Sequence, residues 1–80
     1  MVAIGRSALT ANTTASDNTA VGYASLAATT TGANNVAVGR DVLTLNTTGA
    51  ENTSVGDRSS DANTTGSYNT ALGRNALGAN

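Results

Sequence analysis

The sequence predicts an all-β fold, a parallel β-solenoid (β-roll) with seventeen residues in each rung. Three registers predict it. Gly5, Gly22, Gly39, Gly56 and Gly73 recur at one phase; Asn18, Asn35, Asn52 and Asn69 recur four residues ahead of a glycine; and Ile4, Val21, Val38, Val55 and Leu72 each precede a glycine. The 80 residues hold almost five copies with no insertion or deletion. A short unbroken period means one supersecondary element stacked on itself, a quasi-one-dimensional body. Seventeen residues are too few for a helical-pair repeat and suit one rung of a solenoid, with rungs about 4.8 Å apart. Residues 1–80 form a single repeat domain, and the partial copies at each end read as a piece of a longer array.

Each element of the unit has its own signal. Asn35-Val36-Ala37-Val38 alternates large and small as a pleated strand does, so Val36 and Val38 share one face and Ala37 takes the other. Thr19/Val21, Thr53/Val55 and Thr70/Leu72 keep that pattern. The glycine that follows permits a sharp bend at positive φ. The next segment, Ser7-Ala8-Leu9, Ala24-Ser25-Leu26 or Asn75-Ala76-Leu77, reads either as a second short strand or as a single helical turn. In both cases Leu9, Leu26, Leu43 and Leu77 are expected to point inward together with the valines. The closing segment, Asn12-Thr13-Thr14, Asn46-Thr47-Thr48-Gly49 and Asn63-Thr64-Thr65-Gly66, is a turn. Its asparagine can bond downstream backbone and its glycine is expected to supply a left-handed residue.

Composition bounds what this unit can do. Leu, Ile, Val and Phe number 13 of 80 residues, below the range in which a lone chain buries enough apolar surface to fold. A net charge of −1 and the strict phasing of the apolar residues argue against disorder. The core is thin, and small chains of this kind need disulfides, a metal or oligomerisation. The sequence has no cysteine for disulfides and no cysteine or histidine for zinc, which leaves oligomerisation. Several chains are therefore expected to share one core, with valine columns facing a common axis. No signal peptide and no apolar run long enough to cross a membrane is visible. Lysine is absent and four arginines balance five acids, so there is no nucleic-acid footprint. The lack of cysteine fits an extracellular or virion setting.

Asn18-Thr19-Ala20-Val21-Gly22-Tyr23-Ala24-Ser25-Leu26 and Asn69-Thr70-Ala71-Leu72-Gly73-Arg74-Asn75-Ala76-Leu77 resemble the head repeats of trimeric autotransporter adhesins and the Asn-Thr-Ala-x-Gly arrays of bacteriophage tail fibres. The resemblance covers the whole chain. It implies a left-handed parallel β-roll, three chains about one axis, and a role in attachment to a host cell. In such heads the small-aliphatic strand faces the interior, which carries over to Val21, Val38, Val55 and Leu72. Adhesin heads often use shorter rungs, and the present length is nearer the fibre arrays.

Catalysis has little to work with. Without His, Cys or Lys, an acid–base or nucleophilic pair would need carboxylates, and the chain is not expected to be an enzyme or to use a cofactor. The acids are Asp17, Asp41, Glu51, Asp57 and Asp61. The fourth rung breaks the pattern: Asp57-Arg58-Ser59-Ser60-Asp61 replaces the arginine-to-leucine segment, and Ser60 stands in the leucine column. This reads as a drifted repeat in preference to a local binding or metal site, because no acid recurs at this phase and a calcium roll would show a phased Asp ladder. If a binding site exists, Asp57, Arg58 and Asp61 with Arg40 are its candidates. The asparagine column reads as a structural amide ladder in preference to a ligand-reading surface. The Asn-x-Thr/Ser sequons follow from turn chemistry. Arg6, Arg40 and Arg74 share a column and read as solubilising charges that pair with acids on neighbouring chains, in preference to a contact for acidic glycans.

Three functions follow from different uses of one rod. The first is a structural segment of a trimeric fibre or adhesin, on a virion or a bacterial surface, that serves host-cell attachment. The second is a head that binds a glycan or protein receptor. The third is an ice-binding solenoid, on the columns Thr13/Thr30/Thr47/Thr64 and Thr14/Thr31/Thr48/Thr65. Adjacent threonines in a strand point to opposite faces, which counts against the third.

Overall fold

A computed structural model of the chain describes residues 2–9, 16–61 and 63–76. Five strands of three residues follow in order: β1 Val2–Ile4, β2 Thr19–Val21, β3 Val36–Val38, β4 Thr53–Val55 and β5 Thr70–Leu72. They form one parallel sheet in sequence order, β1-β2-β3-β4-β5. Every pairing is in register with the repeat, so Val2 faces Thr19, Ala20 faces Ala37, Val38 faces Val55 and Val55 faces Leu72. The chain is an all-β parallel solenoid with seventeen residues per turn, as the spacing of the glycines requires.

The main-chain ladder does not stop where the strands do. The amide of Gly22 donates to Ile4 O at 2.7 Å, that of Ala24 to Arg6 O at 2.9 Å, and that of Leu26 to Val42 O at 2.9 Å. Corresponding bonds join the later rungs, among them Asp41 N to Tyr23 O and Arg58 N to Arg40 O, both at 2.8 Å. The turns of one rung are thus stacked on the turns of the next, and amides outside the short strands also find carbonyl partners.

The segment after the glycine is neither strand nor helix. It is a series of tight turns, with Ala8 N bonded to Gly5 O and Ala27 N to Ala24 O, both at 3.3 Å. Ser7, Ala24, Asp41, Arg58 and Asn75 sit at φ of 57–64°, and Leu9, Leu26, Leu43 and Ser60 at φ of 50–53°. A left-handed residue at the third position of a four-residue turn is the geometry of a type II turn. Left-handed leucine or alanine is uncommon and costs about 1 kcal/mol or more. The cost recurs in each rung, and the ladder bonds made by Ala24 N and Leu26 N offset it locally.

The bend after each strand lies at φ of 119–130° in the glycine column, as the sequence led us to expect. The turn glycines behave differently from expectation. Gly32, Gly49 and Gly66 are not left-handed; that conformation falls two residues later, at Asn34, Glu51 and Tyr68, with φ of 58–61°. Gly49 is needed for space, because a Cβ there would strike Asn46 Oδ1 and the carbonyl of Gly66 in the next rung.

The strands alternate as the sequence indicates, but the inward face is the small one. Ala20, Ala37, Ser54 and Ala71 are buried, whereas Val21, Val38 and Val55 are half-buried and Leu72 is exposed. Leu9, Leu26 and Leu43 do point inward, joined by Val42 from the same wall. The expectation that valine and leucine share the interior of one coil is therefore corrected. A single rung is narrow, and once a leucine reaches in from the turn wall the opposite strand has room only for alanine or serine. Leu77 lies outside the described residues, as do Asn12, Thr13 and Thr14 of the first rung's turn.

Candidate assembly face and the irregular fourth rung

Two features outside the interior invite a functional reading. The first is the outer face of the sheet. It carries Val2, Thr19, Val36, Thr53 and Thr70 in one column and Ile4, Val21, Val38, Val55 and Leu72 in the next. Val2 is 46% exposed, Ile4 59% and Leu72 78%, all on the two terminal strands, while Val21, Val38 and Val55 between them are half-buried. Parallel pairing without a register shift lays these side chains in straight files. The result is an aliphatic and threonine surface spanning all five strands, uninterrupted by charge. An apolar file that its own chain covers only in part is the kind of surface from which association interfaces are made.

Asn18, Asn35 and Asn52 of the asparagine column spend their side chains on the coil. Asn18 Oδ1 accepts from Asn35 N at 2.8 Å and from Asn35 Nδ2 at 3.1 Å; Asn35 Oδ1 accepts from Asn52 N and Nδ2, both at 3.0 Å. The Nδ2 groups of Asn18, Asn35 and Asn52 also donate to Gly32, Gly49 and Gly66 carbonyls at 2.8–2.9 Å. Each amide therefore fastens its strand to the rung beside it and to a turn fourteen residues further on. A second, shorter ladder runs through the turns: Asn46 Nδ2 and Asn63 Nδ2 donate to Gly49 O and Gly66 O at 3.1 Å, and Asn63 Nδ2 to Asn46 Oδ1 at 2.9 Å. Thr29 occupies the asparagine place in the second rung and donates to Asn46 O at 3.1 Å, which explains how that turn tolerates the change.

The threonine pairs divide by position. Thr30 and Thr47 place their hydroxyls on the carbonyls of Thr47 and Thr64, at 3.4 and 3.3 Å, whereas Thr31, Thr48 and Thr65 are exposed.

The fourth rung departs from its neighbours on both sides of its wall. On the outside, Asp57 stands between two arginines of its own column: Arg40 Nε lies 3.2 Å from Asp57 Oδ1 and Arg74 Nε 3.7 Å from Asp57 Oδ2. Arg40 Nε is also 3.7 Å from Asp41. Arg40 and Arg74 of the arginine column thus meet acids of their own chain, Asp57 in the rung between them and, for Arg40, the neighbouring Asp41. Asp57 and Arg40 are parts of this surface ion column. Arg58 and Asp61 point elsewhere and line an open cleft of about 260 Å³ with Asp41, Thr44 and Leu45. The four candidate residues are therefore split between two places. Asp41, Thr44 and Leu45 were not singled out by the sequence, although a charged residue, a threonine and a leucine replace alanines of the second rung there.

On the inside, Ser54 and Ser60 replace the alanine and leucine of the other rungs, and Ser54 Oγ donates to Ser60 Oγ at 2.8 Å. Ser59 Oγ, next to Ser60 in sequence, is buried and has no hydrogen-bond partner among the described residues. Among the described residues, no three His, Cys, Asp or Glu side chains come together as metal ligands, and no helix is long and apolar enough to cross a membrane. Comparison with family models, curated proteins and solved structures finds no match to this chain.

Proposed function

We propose that the chain is a structural segment of a surface fibre or adhesin, three copies wound as left-handed coils about one axis, serving attachment to a host cell. The observation that carries this reading is the outer file Ile4–Val21–Val38–Val55–Leu72, which runs the length of the sheet and is half-buried or exposed in every strand. Within one coil only Leu9, Leu26, Val42 and Leu43 are large apolar side chains in the core of the described residues. At about 1.5–3 kcal/mol each, they give little margin against the conformational entropy of an 80-residue chain. Closing three flat aliphatic faces on each other supplies the missing core. The in-register ladder then makes the product a stiff rod, the shape a fibre needs. The resemblance of the Asn-Thr-Ala-Val-Gly unit to tail-fibre and adhesin repeats supports the same reading and an extracellular setting.

A second reading, a head that binds a receptor glycan, is favoured by one observation. The third and fourth rungs together form a cleft from residues that depart from the repeat.

The test is Val38→Asp, followed by sedimentation equilibrium. Loss of assembly in this variant, with assembly retained in Arg40→Ser, supports the shared face. Assembly and melting unchanged in Val38→Asp would refute it.

A further inference from the structure

We propose that the cleft lined by Asp41, Thr44, Leu45, Arg58 and Asp61 binds a single ring of a neutral saccharide. The inference takes its setting, a segment at a surface, from the reading above, but its geometry belongs to one coil. The second rung shows what the coil itself requires at these places: Ala24, Ala27 and Ala28 stand where the third rung has Asp41, Thr44 and Leu45. The ladder bonds are the same in both, with Ala24 N on Arg6 O at 2.9 Å and Asp41 N on Tyr23 O at 2.8 Å. The larger side chains are therefore additions to a finished backbone, and they converge on one hollow.

The hollow has the groups that a sugar ring uses. Asp41 and Asp61 supply carboxylate oxygens, which accept from neighbouring hydroxyls and can take two at once. Arg58 supplies a fork of N–H donors, is exposed, and makes no ion pair among the described residues, unlike Arg40 and Arg74. Leu45 is 54% exposed and offers an apolar surface for the C–H face of a pyranose. A volume of about 260 Å³, below the roughly 300 Å³ at which drug-sized sites begin, gives the hollow room for one ring. Asp41 is matched by Arg40 at 3.7 Å, which leaves Asp61 as the carboxylate of the lining that meets sialic acid or a sulfated sugar with like charge. Affinity from one open site of this kind is weak, and presentation of several copies on one rod would raise avidity without new contacts.

The test is a titration of the isotopically labelled full chain with glucose, galactose, mannose and N-acetylglucosamine, each alone, followed by amide chemical shifts. Sialic acid and calcium chloride are titrated as comparators. Saturable shifts confined to residues around 41–45 and 58–61 are expected with at least one neutral sugar. Asp61→Asn and Arg58→Ala are each expected to weaken binding about tenfold or more, with the melting temperature retained. No saturable shift with any neutral sugar would overturn the proposal, as would binding that both variants leave unchanged, or a response to sialic acid or calcium alone. Sedimentation of the same samples separates the two readings. An assembled chain that binds no sugar defeats only the saccharide site, and a monomer that binds sugar defeats only the shared face.

Discussion

Ser54 and Ser60 share a hydrogen bond of 2.8 Å inside the fourth rung, at two positions where the other rungs carry alanine and leucine. The two departures compensate each other. A hydroxyl buried alone costs about 1–3 kcal/mol, whereas two that satisfy each other cost far less. Ser54→Ala alone should therefore destabilise the chain by about 1 kcal/mol, because it leaves the Ser60 hydroxyl without its donor. The double change Ser54→Ala with Ser60→Leu restores the regular column and should raise stability above the parent by about 1–2 kcal/mol. Thermal unfolding of both singles and the double checks this. Effects that add to within about 0.5 kcal/mol would show that the two serines are not coupled.

Asn35 is the most heavily engaged amide in the stack, with bonds to Asn18, Asn52 and Gly49. Asn35→Ala should cost about 3 kcal/mol or more, since it strands partners in both adjacent rungs. Asn69→Ala, at a half-buried site whose backbone amide donates to Asn52 Oδ1 at 3.0 Å, should cost clearly less. Asn35→Asp adds a pH signature. The new carboxyl, buried beside Asn18 Oδ1 and the Gly49 carbonyl, is held protonated to higher pH than in the unfolded chain. The folded state then binds more protons, so this variant loses stability relative to the parent as pH rises from the acid side. Denaturant unfolding at several pH values measures it, and a pH-independent difference between variant and parent would contradict it.

The glycine column separates conformation from contact. Gly39 and Gly73 have similar φ, 130° and 119°, but a Cβ at Gly39 would sit 2.8 Å from the Gly56 carbonyl oxygen whereas one at Gly73 meets nothing within 4 Å among the described residues. Gly39→Ala should therefore be more damaging than Gly73→Ala by about 2 kcal/mol or more, the scale of overpacking against fixed backbone. Equal losses in urea unfolding would mean that dihedral strain alone governs the column.

The ion column should matter little to stability. Arg40, Asp57 and Arg74 form exposed pairs, which are worth about 0–1 kcal/mol and are screened by salt. Asp57→Asn should change the melting temperature slightly at low ionic strength and not at all at high ionic strength. A large loss that persists in salt would show that Asp57 supports the fourth rung in some other way.

Much of this was legible in the residues. The seventeen-residue coil, the strand at Thr19–Val21 and its equivalents, the bend glycines and the amide ladder follow from spacing and from what asparagine and glycine can do. The sidedness of the strand was not. Alternation says that Val38 and Ala37 face opposite ways, but which is inside depends on how wide the coil is, and that depends on Leu26 and Leu43 entering from the other wall. The turns after the glycine were hidden for a related reason. Leu26 and Ala24 favour helix by propensity, yet the stack holds both at positive φ, where neighbouring rungs bond their amides. The cleft was half-visible: Arg58 and Asp61 stood out as breaks in the repeat, while Asp41, Thr44 and Leu45 lie in a rung whose other positions keep the pattern.

The mass of the folded chain in solution bears most directly on the shared aliphatic face. Sedimentation equilibrium of the unmodified chain, 7.8 kDa for one copy, should give three copies with cooperative melting that shifts with concentration. A folded species of one copy, with a melting temperature independent of concentration, would contradict it.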